Sequence, residues 1–318
     1  MTGLDCVDAA SVTGADIADL TRLTQKIEAS TGLVDMTAVR LTKLFESHLT
    51  RRGCVLYESG SPVGWVAVRV DGCTGVLTSE QSVFASESAT LRSAVANALV
   101  EKAVGLAAEV GASSGIAGPS VKLRFEAPRA DSVISEALTS HGARVVNHWK
   151  RIRADIDEAL RRLPGTPPNV EVRRVETEED FAAHHRIRNV GYGQVPGDRM
   201  LTLGQWRDQL NDEPGCAPDS WMLAYLDGEP VGMYVSSLSR AELGAVYLSH
   251  SATLPEARNA GCQTALNRSA LTWGLAQGLT WSRSRRVQRR GPAVGEVDNN
   301  GFSAVDYLDV WEMIRRRS

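Results

Sequence analysis

The chain has 318 residues, of which 43% are hydrophobic and 23% charged, and its formal net charge is −3. This composition is typical of a globular protein, and the length predicts two domains, since a domain usually has about 100–200 residues. The small negative charge excludes a global attraction to nucleic acid or to an anionic membrane. No apolar run reaches the roughly 20 residues of a membrane span and the polar N-terminus has no signal-peptide pattern, so a cytoplasmic location is expected.

The five cysteines are scattered along the chain and form no C-x-x-C pair. A disulfide framework, a zinc site or any other metal site is therefore not expected.

The first half of the sequence predicts a hairpin followed by a long helix. Residues 54–57 and 63–68 flank a Gly-Ser-Pro turn, and apolar residues then recur at helical spacing from Leu91 to Leu106. Residues 163–169, which read LPGTPPN, contain too much proline for a helix or a central strand. They predict a linker over residues 164–169, between a first domain at 1–163 and a second domain at 170–318.

The second half repeats this order of elements. Apolar strands at residues 221–226 and 231–236 flank another turn, and a third strand is predicted at 243–253. A helix and a further strand, at residues 280–287, are predicted after it. The sequence therefore predicts one α/β design used twice in tandem.

Residues 251–278 join a strand end, a glycine turn and a helix that is predicted to begin at about Gly261. The first turn of a helix leaves main-chain N–H groups without intrahelical partners and carries roughly half a positive charge, which favours a bound phosphate. Gly261 is expected to let the backbone approach the phosphate, and Arg258 can add a bidentate contact. This segment therefore predicts an anion-binding turn.

The six residues from Arg258 to Gln263, after a strand that ends in Thr-Leu-Pro, resemble the signature of the GNAT superfamily of acyl-CoA-dependent N-acyltransferases, Arg/Gln-x-x-Gly-x-Gly/Ala. Gln263 stands where that family has Gly or Ala. The resemblance implies an α/β (α+β) fold with a mixed, mainly antiparallel sheet flanked by helices in each half. It also implies an acetyl-CoA site formed by Ala252, Thr253, Leu254, Arg258, Asn259, Ala260, Gly261, Cys262, Gln263 and Thr264.

The matching place in the first half, residues 86–92, contains no glycine and has an acidic residue, Glu87, near the expected phosphate. The first domain is therefore interpreted as a degenerate copy, and the acetyl-CoA site is predicted only in the second.

The resemblance implies direct attack of an amine on the thioester, with a base for the amine proton and an acid for the leaving thiolate. His250 is the first candidate base, because it lies on the strand before the turn and the usual pKa of histidine is about 6.5; a histidine bonded within the sheet is the alternative. Glu242, where a solvated role is the alternative, is the second. The family places a tyrosine acid where this chain has Val297. Either another group, such as Tyr307, Tyr247 or Tyr192, serves instead, or the thiolate leaves with help from water, or the domain does not catalyse acyl transfer.

Residues 184–193 correspond to the segment that lines the acceptor site in this family. Adjacent histidines point to different sides of a helix, so at most one of His184 and His185 faces the cleft, and a surface location is favoured. A run of arginines follows the long helix, at positions 283, 285, 286, 289 and 290. It is interpreted as the solvated face of a strand, although it would also suit a carrier protein's phosphopantetheine arm.

The predicted function is transfer of an acetyl or other acyl group from acetyl-CoA to an amine of a small metabolite. Two alternatives stay open: a catalytically silent protein that binds acyl-CoA or a partner, and an enzyme that acts on a carrier-protein thioester. Neither a nucleic acid nor a membrane is expected as a partner.

Overall fold

The computed structural model describes residues 4–46, 51–71, 76–83, 88–115, 120–193, 199–287, 298 and 301–316. The chain forms two compact units. The first comprises Met1–Asp71, Gly75–Lys150 and Asp306–Ser318, and the second contains Arg151–Val305.

In chain order, the elements up to the second unit are β1 (Asp5–Asp8), α1 (Gly14–Thr31), α2 (Ala38–Phe45), β2 (Arg51–Glu58), β3 (Ser61–Val70), β4 (Leu77–Val83), α3 (Ala89–Ser113), β5 (Ser120–Pro128), α4 (Ser132–Ser140) and β6 (Arg144–Asp155). The remaining elements are α5 (Ile156–Arg162), β7 (Val170–Arg174), α6 (Glu178–Tyr192), α7 (Leu203–Asp212), β8 (Cys216–Leu226), β9 (Glu229–Ser237), β10 (Ala245–Thr253), α8 (Cys262–Ala276), β11 (Trp281–Val287) and β12 (Ser303–Arg316).

The unit boundaries differ from the predicted linker. The chain enters the second unit within β6 and returns to the first within β12, so residues 164–169 lie inside the second unit. There the guanidinium of Arg268 donates hydrogen bonds to the carbonyl oxygens of Leu163 and Pro164. Proline prevented these residues from forming a helix or a central strand, as expected, but they pack against α8 instead of separating two domains.

In the first unit the strands lie in the order β1-β2-β3-β4-β5-β12, and only β4 and β5 run parallel. Alternate residues of β3 serve two cores. Val66 and Val68 pack with residues of α3, whereas Trp65 and Ala67 pack with residues of α1 and α2. The sheet therefore has helices on both faces.

The second unit has the same design, with the strand order β7-β8-β9-β10-β11 and one parallel pair, β10 with β11. Its helices also occupy both faces, because a Cβ atom added to Gly232 on β9 would lie 2.9 Å from Leu266 of α8, and one added to Gly191 of α6 would lie 2.5 Å from Cβ of Ala252 on β10. The predicted mixed, mainly antiparallel sheets with flanking helices are confirmed.

The two units have a glycine at the corresponding position of the strand that packs against the long helix. Gly64 on β3 and Gly232 on β9 each follow a valine in the second strand of a hairpin. A Cβ atom at Gly64 would lie 3.0 Å from Leu99 of α3, and one at Gly232 would meet Leu266 of α8 in the same way. In both units glycine lets the long helix approach the sheet closely.

Candidate functional site

The parallel pairing of β10 and β11 covers only the first part of β10. It runs from Ala245 opposite Trp281 to Leu248 opposite Ser284, where the Ser284 hydroxyl donates to the Leu248 carbonyl oxygen at 2.8 Å. The register of β10 against β9 shifts between Leu248 and His250, so Ser249 is an extra, bulged residue. Within the described residues the rest of β10 has no partner strand on this side, which leaves an open edge.

The main-chain groups at this edge belong to Ser251 and Thr253. The N–H of Leu254 donates to the Val231 carbonyl oxygen at 2.8 Å, and because the pairing has a period of two, the N–H of Ala252 also faces β9. The N–H of Ser251 points the other way, to the Tyr192 hydroxyl oxygen at 3.2 Å. Of the predicted donors, Thr253 is oriented as expected, whereas Ala252 and Leu254 are not.

The predicted anion-binding turn lies directly after this edge. Gly261 has φ 86° and precedes α8, no side chain caps that helix, and the first intrahelical bond runs from the Ala265 N–H to the Gly261 carbonyl oxygen. The N–H groups of the first turn therefore come from Cys262, Gln263 and Thr264. The exposed residues Arg258 and Asn259 and the half-buried Ala260 precede them. The structure thus brings the predicted turn residues together at the start of one helix.

Gln263 does not obstruct this turn. Its side-chain oxygen accepts a hydrogen bond from the Thr253 hydroxyl at 3.3 Å, and its amide nitrogen donates to the Asn267 side-chain oxygen at 3.1 Å. The side chain therefore links β10 to α8. Cys262 is buried and its burial raises the pKa of the thiol, so it acts as a small apolar residue and not as a nucleophile.

The packing around Gly261 gives a reason for glycine at this position that the sequence did not reveal. A Cβ atom at this position would lie 2.6 Å from Cγ of Pro167, so the proline-rich segment occupies the space that a side chain would need. This packing requirement comes in addition to the expected approach of the backbone to a phosphate. The left-handed backbone adds a second requirement for glycine.

We expect Gly261→Ala to lower the free energy of unfolding by about 1–3 kcal/mol, because it adds both backbone strain and a contact with Pro167. Gly278→Ala is a matched control, since Gly278 has φ 78° but open space around its Cβ position. Urea unfolding of both variants separates the two effects. Equal losses of stability in the two variants would show that Pro167 yields at no cost.

His250 lies on the face of β10 that α6 covers. His250 pairs with Val235 on β9. It lies two residues before Ala252 and therefore on the same face of β10, and Ala252 contacts α6 at Gly191. Its ring packs edge-on against Trp206 of α7 and Tyr192 of α6, with centroid distances of 5.2 Å and 6.1 Å. His250 is thus next to the open edge of β10, on the side of α7 and of α6, which contains most of the segment 184–193 that was predicted to line an acceptor site.

Glu213, which the sequence analysis did not identify, is the carboxylate beside His250. Its Oε2 atom lies 3.3 Å from Nε2 of His250, and the two side chains are only 16% and 15% exposed. Burial by itself would raise the pKa of Glu213. The hydrogen bond from His250, the charge of His250 and a hydrogen bond from the Ser249 hydroxyl outweigh burial and hold this pKa below its usual value. Glu213 directly follows α7 and the sequence carries no pattern that links it to β10.

His184 is fully buried, so the predicted surface location is wrong. Its Nδ1 atom accepts a hydrogen bond from the Trp206 indole at 3.1 Å, its ring stacks between Phe181 and Trp206, and burial lowers its pKa to about 3. His184 is therefore neutral at ordinary pH and supports the Trp206 ring. His185 contacts the Leu201 carbonyl oxygen at 2.7 Å through Nε2.

Three of the other candidate acids and bases, Glu242, Tyr307 and Tyr247, lie away from His250. Glu242 is exposed in a short 3-10 helix before β10, which favours the solvated role. Tyr307 belongs to the first unit, where the Arg129 guanidinium lies 4.6 Å from its ring centre, and Tyr247 packs against Arg240 at 4.2 Å. Tyr192 is the candidate acid that lies at the site. Val297, Arg289 and Arg290 lie outside the described residues.

The corresponding parts of the first unit are closed by side chains. The parallel pairing of β4 and β5 ends at Ser79 opposite Phe125, and the Gln81 side chain then donates to the Glu126 carbonyl oxygen at 3.3 Å across the gap. The Ser88 hydroxyl caps α3 by accepting from the Leu91 N–H at 3.2 Å. In the described residues of the first unit, a side chain thus bridges the gap between β4 and β5, and another side chain caps the helix.

Among the described residues, no group of three or more His, Cys, Asp or Glu side chains has the arrangement of a metal site. In the same parts of the chain, no helix is long and apolar enough to span a membrane.

Comparison with known proteins found likeness in structure but not in sequence. No family model and no curated protein sequence matches the chain. A GCN5-related N-acetyltransferase from Sphaerobacter thermophilus superposes with a TM-score of 0.75 at 15% identity, over 99% of this chain and 96% of that one. A tandem GNAT protein from the clavulanic acid biosynthesis pathway, solved without AcCoA, gives a TM-score of 0.69 at 14% identity, over 99% of both chains.

A GCN5-related N-acetyltransferase from Kribbella flavida is similar over 91% of this chain and 95% of its own, with a TM-score of 0.57 at 15% identity. At such identities the likeness concerns the fold. The chain has the tandem GNAT fold, which confirms the fold that the resemblance implied.

Proposed function

We propose, from the tandem N-acetyltransferase fold of this chain, that its second unit transfers an acetyl group from acetyl-CoA to an amine of a small molecule. One observation carries the proposal. The open edge of β10, the uncapped start of α8 and the His250 side chain follow one another along a single strand, turn and helix. These three features match the thioester, the phosphates and the amine proton that such a reaction must handle.

Binding would use main-chain donors and one guanidinium. The edge of β10 offers the N–H group of Thr253 to the pantetheine arm and the thioester, whereas the N–H group of Ser251 donates to the Tyr192 hydroxyl. The first turn of α8 offers N–H groups and the positive end of the helix dipole to the pyrophosphate, and Arg258 adds charge. The position of Gln263 supports this assignment, because its side chain is hydrogen-bonded to the side chains of Thr253 and Asn267.

The chemical step needs one base and one acid. His250 takes the proton of the acceptor amine while the nitrogen forms its bond to the thioester carbon and the carbon–sulfur bond breaks. The Tyr192 hydroxyl, which accepts the Ser251 N–H beside the open edge of β10, is the candidate acid that gives a proton to the leaving thiolate. No covalent enzyme intermediate is required, in agreement with the buried state of Cys262.

The proposal predicts one acetyl-CoA site per chain. Calorimetric titration of the full-length protein should give a stoichiometry of one, and Arg258→Ala should weaken binding about tenfold to hundredfold, since it removes a charge-assisted contact. Arg161→Ala is the control, because Arg161 is an exposed arginine of the same unit that pairs with Glu158 on α5.

Turnover is then measured as thiol release with a panel of small amines. Two equivalent binding sites, or no binding, would contradict the proposal. Binding without thiol release from any amine would favour a silent acyl-CoA-binding protein, and release only with a carrier protein present would favour a carrier-protein thioester as the substrate.

A further inference from the structure

The contact between Glu213 and His250 determines which ring nitrogen is the base. A carboxylate only accepts hydrogen bonds, so the His250 Nε2 atom, 3.3 Å from the Glu213 oxygen, must carry a proton in the neutral imidazole. The lone pair then lies on Nδ1. Within the described parts of the chain Nδ1 makes no hydrogen bond, so this atom remains for a substrate.

The position of Glu213 is itself well determined. It is the C-cap of α7, where its N–H donates to the Gln209 carbonyl oxygen at 3.1 Å. The next turn is packed on the end of β9, because Gly215 has φ 65° and a Cβ atom there would lie 2.7 Å from the Ser239 nitrogen. The carboxylate therefore meets His250 between the capped end of α7 and a closely packed glycine turn.

The charged group in contact with the imidazole of His250 is an anion. Glu213 is the carboxylate in contact with the ring, Arg240 lies near that carboxylate, and His184 is neutral because burial lowers its pKa to about 3. Tyr192 and Trp206 contribute ring edges and faces. A proton arriving on His250 therefore finds one negative charge beside it.

We propose that Glu213 is a positioning residue, which holds His250 as the Nε2–H tautomer so that Nδ1 takes the proton from the acceptor amine. The lone pair of the amine nitrogen forms the new bond to the acyl carbon, and the carbon–sulfur bond breaks with its electron pair on the leaving thiolate. The N–H bond breaks with its electron pair on nitrogen, and the proton moves to Nδ1. Glu213 remains ionised and stabilises the imidazolium. This inference rests on the proposed transferase function for its kinetic part only.

The tautomer is measured in the unliganded full-length protein by 15N NMR of the histidine rings. We expect the His250 signals of the Nε2–H tautomer in the parent protein and in E213D, and mixed tautomers in E213Q, because an amide can donate as well as accept. E178Q is the control, since Glu178 is 80% exposed at the start of α6. A parent protein with the proton on Nδ1 would overturn the inference, whether or not the protein is a transferase.

Kinetics test the same assignment through the reaction. We expect E213Q to lower kcat by about 10- to 100-fold with an unchanged KM for acetyl-CoA, and to move the acidic limb of the pH profile to lower pH. E213D should restore most of kcat. An E213Q protein with the parent kcat and pH profile would refute the positioning role. Absence of any transferase activity would refute the proposed function, and the tautomer measurement would then decide the inference about Glu213.

Discussion

His250→Ala should lower kcat by about 100-fold or more while the affinity for acetyl-CoA stays within about twofold of the parent value. The imidazole is the candidate base on the strand that leads into the turn, but it lies on the face of β10 that α6 and α7 cover. Its removal therefore deprives the amine of its proton acceptor without touching the turn before α8. Steady-state kinetics and calorimetric titration on the same preparation measure the two quantities.

His148→Ala is the control for this experiment, because His148 is an exposed histidine of the first unit that contacts Asp309. Its kcat should equal that of the parent. If His250→Ala keeps the parent turnover rate, His250 is a packing residue and another base must be sought. If it loses acetyl-CoA binding together with activity, the substitution has disturbed β10, and His250→Gln then provides the less disruptive variant.

Arg40→Ala should lower the free energy of unfolding by about 3–5 kcal/mol, because it removes the guanidinium that pairs with the buried Asp35 and the half-buried Glu80 carboxylates. Arg69 lies farther from Glu80, at 3.9 Å. The Arg40 guanidinium is 10% exposed and lies 3.2 Å from Asp35 and 3.0 Å from Glu80, whose side chains are 4% and 14% exposed. A third carboxylate, Glu28, is close by, and burial and the charge of Asp35 raise its pKa.

Urea unfolding measures this loss, and Arg22→Ala is the matched control. Arg22 is 71% exposed and pairs with Asp19 within α1, so its replacement should leave the unfolding midpoint almost unchanged. Acetyl-CoA binding should be the same in both variants at temperatures where they are folded, since the site is assigned to the second unit. A stability loss for Arg40→Ala as small as that for Arg22→Ala would mean that water reaches and compensates the carboxylates.

The two copies of the fold use corresponding positions for different purposes. Glu80 on β4 shares the face of Ala67, on the side of α1 and α2, as His250 shares the face that α6 covers. In the first unit this carboxylate lies beside Arg40 and Arg69, whereas in the second unit the corresponding histidine lies beside the Glu213 carboxylate. The two copies therefore place groups of different charge at the same position of the sheet.

The sequence by itself determined the local order of elements around the candidate site. A strand, a glycine turn and a helix were predicted from residues 243–278, and the structure has β10, the turn at Gly261 and α8 there. Such features depend on neighbours within a few residues: the period of the apolar side chains, a left-handed glycine and the start of a helix. The tandem repeat was also visible, because each copy needs the same close approach at Gly64 and Gly232.

Only the tertiary structure decided which face His250 occupies. The extra residue Ser249 shifts the register of β10, and a one-residue shift moves every later side chain to the opposite face, so alternation along the sequence could not settle the question. The contacts of His250 with Glu213 and of Gly261 with Pro167 join segments that are distant in sequence. Their meeting depends on how helices and turns pack on the sheet, and no local pattern of residues records that packing.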